Sequence, residues 1–128
     1  MDASRLDGAP LFDGLSTKER KQVARWADEI DVPAGYHLAE QGRFAHEFFV
    51  ILDGTVEVTV DARVVSELGP GDFFGEIALV EAERRTATVT ATTQLRAVVM
   101  HQREFTGMTA ELPAVAERIH AAIRDRLG

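Results

Sequence analysis

The 128-residue chain contains no cysteine. Disulfides, thiolate metal sites and a cysteine nucleophile are therefore excluded, and the absence fits a reducing cytoplasm. No apolar run approaches the roughly 18 residues that would cross a bilayer, so no membrane contact is expected. The start of the chain lacks a basic stretch followed by an apolar one, so no signal peptide is expected. The histidines, His37, His46, His101 and His120, form no His-x-His or His-x-x-x-His pair, which leaves no metal-ligating signature. Positive charge is also in short supply. The 14 basic residues face 21 acidic ones, a net charge of −7. A chain of that sign is repelled by phosphate backbones, so direct nucleic-acid binding is not expected. There is no internal repeat and no low-complexity tract. His101 and Glu104 are neighbours in sequence, but no nucleophile–base constellation accompanies them, so no enzyme is expected.

What is present suits one globular domain, expected over 1–128. A chain of this length buries roughly two-thirds of its unfolded surface. Its 45% hydrophobic and 27% charged residues are a globular balance. Residues 1–15 read as a short helix or loop punctuated by Gly8, Pro10 and Gly14. "STKE" at Ser16 is a capping box, and Val23, Trp26, Ala27 and Ile30 then recur at helical spacing, predicting a helix at about 16–29. Pro33 and Gly35 end that pattern. From about 30 to 101 the signals are strand-like. "HEFFVIL" and "TVEVTV" flank Asp53-Gly54, which predicts a hairpin. Val56, Val58 and Val60 alternate with polar residues, one face buried and one wet. "RVVSEL", the turn "GPGD", "TATVTA" and "LRAVVMH" follow. Roughly eight short strands at close spacing suggest a roll or sandwich. After His101 the period becomes helical again, with one or two turns at "REFTGM". Pro113 suits a first helical position, and Val115, Ile119, Ala122 and Ile123 mark an apolar stripe to about 127. Trp26, Phe12 and Phe105 are read as core, and the stripe is read as packing on the roll.

One helical interruption breaks the strands, in "GDFFGEIALVEAERRTATVTA". Gly75 precedes a short helix whose first N–H groups lack internal partners and point toward an incoming anion. Glycine there lets a phosphate approach. Glu76 is a poor neighbour for phosphate but a good acceptor for a hydroxyl, such as a ribose 2′-OH. If Ala87, Val89 and Ala91 face the core, alternation turns Arg85 inward and Arg84 to solvent. An inward arginine is costly unless something anionic pairs with it, and a phosphate would do so bidentately. Thr86 adds a hydroxyl beside it.

This stretch resembles the phosphate-binding cassette of cyclic-nucleotide-binding domains. It matches at Phe74, Gly75, Glu76, Ile77, Ala78 and Leu79, then at Arg85, Thr86, Ala87, Thr88 and Val89. "PAGYHLAEQG" and "FFVILDGTVEV" look like the family's first strand and its glycine turn. The resemblance implies a mainly β fold with flanking helices: an eight-stranded antiparallel, jelly-roll-like β-roll with N-terminal helices, a short cassette helix within 73–89, and C-terminal helices over about 103–127. It implies that Glu76 binds the ribose 2′-OH and Arg85 the cyclic phosphate. Gly75 would permit close approach, the N–H groups of Ile77 and Ala78 would cradle oxygens, and Thr86 and Ala87 would add contacts. Threonine at 86 leaves cyclic AMP and cyclic GMP both open as ligands, with no cofactor. Arg124 and Leu127 are the candidates to cover the purine. The implied function is a cyclic-nucleotide sensor that signals by repacking its end helices, toward a second copy or an effector protein or domain. The alternative is a structural or interaction domain of the same fold without nucleotide binding. A cupin-like metalloenzyme is opposed by the missing histidine pairs.

Overall fold

The computed structural model describes residues 1–80 and 84–127. Two short 3-10 helices, Ala3–Leu6 and Pro10–Phe12, lead into α1 (Thr17–Trp26). Ser16 caps α1 as its sequence requires: its hydroxyl accepts from Glu19 N–H at 3.1 Å, and the Glu19 carboxylate accepts from Ser16 N–H at 2.9 Å. The strands are β1 (Asp28–Val32), β2 (His37–Ala39), β3 (Glu47–Asp53), β4 (Val56–Val60), β5 (Arg63–Leu68), β6 (Phe73–Phe74), β7 (Thr88–Ala91) and β8 (Leu95–His101). The cassette helix α2 (Glu76–Val80) separates β6 from β7. Helices α3 (Gln102–Glu111) and α4 (Pro113–Leu127) close the chain.

The fold is mainly β with flanking helices. The strands form two antiparallel four-stranded sheets, ordered β1-β8-β3-β6 and β2-β7-β4-β5. The two central strands β3 and β8 explain the near-continuous apolar runs "FFVIL" and "AVVM". Phe49, Ile51, Ala97 and Val99 point into the roll, where they meet Val56, Phe74 and Val89. Phe48, Val50, Val98 and Met100 point the other way, into a second core made by the helices. That second core contains Leu6, Leu11 and Phe12 from the N-terminal turns, Val23 from α1, Phe105 and Met108 from α3, and Val115, Ile119 and Ile123 from α4. A strand buried on both faces must be apolar at successive positions, whereas β5, at a sheet edge, is exposed over most of its length. Phe12 and Phe105 are core residues and Trp26 packs half-buried against the same cluster, as read from sequence. Pro113 opens α4.

Two sequence expectations give way. The first helix ends at Trp26, and Ile30 belongs to β1 instead, where Asp28–Val32 pairs with β8. The strands flanking Asp53-Gly54 are not a hairpin, because β3 and β4 lie in different sheets. Gly54 turns the corner between them, at φ 90°, where an added Cβ would stand 2.4 Å from the Gln94 carbonyl oxygen. The two-residue hairpin is β4–β5, and its turn is Asp61-Ala62, with φ 51° and 66°. Neither residue is a glycine or asparagine, so the usual turn signal is missing. Asp61 is secured from outside instead. Its N–H donates to Gln41 Oε1 at 2.9 Å and its Oδ1 accepts from Gln41 Nε2 at 2.9 Å.

Candidate ligand-binding site

Strand β6 is short, but its aromatics anchor it firmly. Phe74 stacks on Phe49 at 4.9 Å between ring centroids, and Phe73 meets Phe48 at 5.7 Å on the helix side. This pair delivers Gly75 and the start of α2 to the inner surface of the roll. Gly75 has φ 97°, a conformation L side chains resist. A Cβ at this position would stand 2.8 Å from both Arg85 Nη1 and the Glu47 carbonyl oxygen. The sequence suggested that Gly75 clears a path for a ligand. In the structure, the space it leaves is taken by the Arg85 guanidinium and the backbone of β3.

Arg85 is buried, 8% exposed, as alternation predicted. The route differs, since β7 begins only at Thr88. The backbone at 85 is held by the turn before β3: Arg85 N–H donates to Arg43 O at 2.7 Å, and Gly42 N–H donates to Arg85 O at 2.9 Å. The guanidinium donates from Nη1 to Gly75 O at 3.2 Å and from Nη2 to Glu47 O at 2.5 Å. A guanidinium carries five N–H donors, so donors remain for an anion. Burial pushes the Arg85 pKa down, and the nearby Glu47 and Glu76 carboxylates oppose that shift. Arg84 stays on the surface, donating to Gly42 O at 3.0 Å with its guanidinium 4.2 Å over the Phe44 ring.

Glu76 is fully buried. Its Oε1 accepts from Arg126 Nη1 near the end of α4, while Oε2 meets no hydrogen-bond partner among the described residues. Burial pushes the Glu76 carboxyl up from its ordinary value, and Arg126 and then Arg85 pull against it. Arg126 is fixed at a second point, donating from Nη2 to Phe73 O at 2.6 Å.

These groups share one cavity of about 390 Å³, within the usual range for small-molecule sites. Gly75, Glu76, Arg85 and Arg126 contribute to its lining, as do Ile77, Thr86 and Ala87. Of the residues the sequence nominated, six therefore line one space. Ala78 lies within α2, but its side chain falls outside the described residues, as do the cassette residues 81–83. The rest of the lining is apolar: Ala39 from β2, Val58 and Val60 from β4, Val65 and Leu68 from β5, Phe74 from β6 and Val89 from β7, with Ser66 as a hydroxyl on β5. Val58 and Val60 are only half-buried, because along this part of β4 the inner face borders open space rather than core.

Two features escaped the sequence reading. The apolar wall from β4 and β5 carries no motif. The α4 residue in the lining is Arg126; of the α4 candidates, Arg124 is not among the lining residues and the Leu127 side chain is outside the described residues. A partial signal for Arg126 was available, since it lies three residues beyond Ile123, on the helix face of the buried Val115, Ile119 and Ile123, although its own side chain is 35% exposed.

The electrostatic consequence is specific. Two guanidiniums and one carboxylate converge on one cavity, an excess of positive charge inside a chain of net charge −7. A polar, cationic end opposite an apolar wall suits an amphiphilic monoanion.

Comparison with known proteins identifies the family. Residues 29–111 match the family model for the cyclic nucleotide-binding domain, and the chain belongs to that family. It is 33% identical over 119 residues to a cyclic nucleotide-gated potassium channel of Rhizobium etli, covering 93% of this chain and 33% of the channel. It is 36% identical over 122 residues to a cAMP-dependent protein kinase regulatory subunit of Mycosarcoma maydis, covering 88% of this chain and 23% of that subunit. The chain thus spans a third or less of the length of these relatives. Among solved structures, the regulatory subunit of a cAMP-independent protein kinase A from Trypanosoma brucei has the same fold, with a TM-score of 0.86 at 23% identity over 94% of this chain and 44% of that one. Among the described residues, no helix is long and apolar enough to cross a membrane.

Proposed function

We propose that the cavity binds a cyclic nucleotide, cyclic AMP or cyclic GMP, and that the domain is a non-catalytic sensor. The cyclic phosphate pairs with the spare donors of Arg85, which also offsets the cost of burying that charge. The ribose 2′-hydroxyl donates to Glu76. The purine lies against the apolar wall of Val58, Val60, Val65 and Leu68. Thr86 and Ala87 flank the phosphate, and the N–H groups of Ile77 and Ala78 face its oxygens. The observation that carries this reading is the pairing, in one cavity of nucleotide size, of a buried carboxylate oxygen without a partner among the described residues and a buried guanidinium with donors to spare. The family membership and the printed names of the two curated relatives, one cyclic nucleotide-gated and one cAMP-dependent, support the same ligand class.

The output is a change in how the end helices pack. Helix α4 touches α2 through Arg126 and touches the N-terminal turns through Arg118, whose Nη1 donates to Leu11 O at 2.9 Å. A ligand that favours one position of α2 shifts the population of α4 positions. An effector domain or a second copy would read that shift. Isothermal titration calorimetry of the domain with cyclic AMP and cyclic GMP tests the proposal. Saturable binding of either supports it. Absence of binding to both would leave the structural or interaction module as the better reading.

A further inference from the structure

The sheet ordered β2-β7-β4-β5 carries the apolar side of the cavity, and its β4–β5 hairpin runs past its neighbour. Strand β4 pairs with β7 only as far as Thr59, opposite Thr88, so residues 60–64 extend beyond the sheet. Val60 and Val65 line the cavity here, and Val65 is 59% exposed. A wall this open takes its position from what holds its ends rather than from packing behind it. The turn at its tip is also the strained one, with Asp61 at φ 51° and Ala62 at φ 66°. Among the described residues, the hydrogen bonds that tie 60–64 to anything outside the hairpin come from one side chain, Gln41, twenty residues earlier. Gln41 Oε1 accepts from Asp61 N–H and Gln41 Nε2 donates to Asp61 Oδ1, both at 2.9 Å.

Gln41 sits in the turn between β2 and β3, and the backbone of that turn is fastened to the segment carrying Arg85. Gln41 N–H donates to Thr88 Oγ1 at 3.0 Å, Gly42 N–H to Arg85 O at 2.9 Å, and Arg85 N–H to Arg43 O at 2.7 Å. The Gln41 side chain then spans the end of the sheet, from the β2 side to the β4–β5 tip. We infer that Gln41 is a positioning residue for ligand binding: its side chain clasps the β4–β5 turn to the segment that carries Arg85, and so sets the separation between the apolar wall and the anion-binding end of the cavity. This rests on the cyclic-nucleotide reading above. A ligand that touches both ends gains when their separation is fixed in advance, because less ordering is left to binding. The residue types fit the task. A primary amide offers an acceptor and donors together, so it meets an N–H and a carboxylate at once, which a carboxylate could not. Glycine at position 61 would relieve the turn strain but leave Gln41 Nε2 without its acceptor.

Gln41→Ala removes the clasp and keeps the three backbone bonds, so its effects report on the hairpin. Calorimetry with cyclic AMP and cyclic GMP is run at a temperature where circular dichroism shows every variant fully folded. A merely structural contribution then lowers the unfolding midpoint and leaves affinity unchanged. Gln41→Ala is expected to weaken nucleotide binding by roughly three- to tenfold, the scale of one net hydrogen bond. Gln41→Glu keeps an acceptor for Asp61 N–H but sets two carboxylates face to face. It should weaken binding in the wild-type background and have little effect in the Asp61→Asn background, where an amide at position 61 supplies the missing donor. Unchanged affinity in Gln41→Ala, or the same loss from Gln41→Glu in both backgrounds, overturns the inference. A second arm needs no ligand. Amide hydrogen exchange at Asp61 and across residues 60–65 should be faster in Gln41→Ala than in wild type, with β3 and β8 unchanged, and equal exchange overturns the inference. If the wild type binds neither nucleotide, the ligand assignment fails, and the exchange comparison decides by itself whether Gln41 holds the wall.

Discussion

The guanidinium of Arg85 occupies the space that a side chain on Gly75 would need, with Nη1 2.8 Å from where a Cβ would be built. Ten residues separate the two in sequence, and each requires the other: the arginine lies flat against the backbone at 75 only because nothing projects from it. Gly75→Ala therefore carries two penalties, left-handed strain at φ 97° and a clash with both Arg85 and Glu47 O. Thermal and urea unfolding should show a loss of about 2 kcal/mol or more. Gly35→Ala is the control, since Gly35 has φ 91° but nothing within 4 Å of an added Cβ. It should cost about 1 kcal/mol, from strain alone. Equal losses in the two variants would refute the packing role of Gly75.

Adjacent arginines make a second comparison. Arg85 is buried, lines the cavity and donates to Gly75 O and Glu47 O, whereas Arg84 is exposed and donates to Gly42 O. Arg85→Ala should reduce cyclic-nucleotide affinity by about 2–5 kcal/mol, the scale for removing one partner of a buried hydrogen-bonded charge pair. Arg84→Ala should change it by less than about 1 kcal/mol, as for other surface charges. Calorimetry on both variants checks the contrast. Comparable losses would mean that the exposed arginine swings in on binding and that the roles assigned here are incomplete.

The contrast between these neighbours was legible in the sequence, and so was most of the cassette. Residues 73–80 and 84–89 carry their chemistry in contiguous order, and positions that must be glycine, acidic or basic leave a local trace. The hairpin expected at Asp53-Gly54 shows where local signals stop. A glycine with positive φ fits a two-residue turn and a corner between sheets equally well, and only the partners of β3 and β4 distinguish them. Strand β1 was absorbed into the helix because Ile30 continues the stripe of Val23, Trp26 and Ala27, and pairing with β8 overrides that periodicity. Arg126 was hidden for a different reason. Its side of α4 follows from helical spacing, but its partner depends on where α4 meets α2, a long-range relation that no short window contains.

Burial of Glu76 has a consequence for stability with a definite sign. Its carboxyl is pushed above the ordinary value, chiefly by desolvation. A group whose folded pKa is raised favours folding most when protonated, and that contribution is lost as pH rises through the folded value. Wherever Glu76 is ionised in the folded domain, its carboxylate therefore opposes folding. Glu76→Gln should be more stable than wild type near neutrality, with the advantage shrinking as pH falls toward the ordinary glutamate range, while its affinity for cyclic nucleotide drops. Urea midpoints measured from about pH 4 to 8 check the slope. A Glu76→Gln variant less stable at neutral pH and equal at acid pH would mean that the ion pair with Arg126 outweighs desolvation.

The turn between β4 and β5 offers the last test, because it pits two turns against each other. Ala62 holds φ 66° with a side chain that gains nothing there, next to Asp61, which is tied to Gln41. An alanine in the left-handed region costs roughly 1–2 kcal/mol of local strain, part of which glycine returns as backbone entropy in the unfolded chain. Ala62→Gly should therefore stabilise the domain by about 0.5–1 kcal/mol, provided Asp61 is kept. Gly54→Ala should do the opposite and by more, since its Cβ would press on Gln94 O and on Thr93 Oγ1 at 2.8 Å, in the β7–β8 connection. Urea unfolding midpoints for the two variants should move in opposite directions. If Gly54→Ala were tolerated and Ala62→Gly harmful, Asp53-Gly54 would be the hairpin turn after all, and β3 and β4 would have to be neighbours in one sheet rather than members of two.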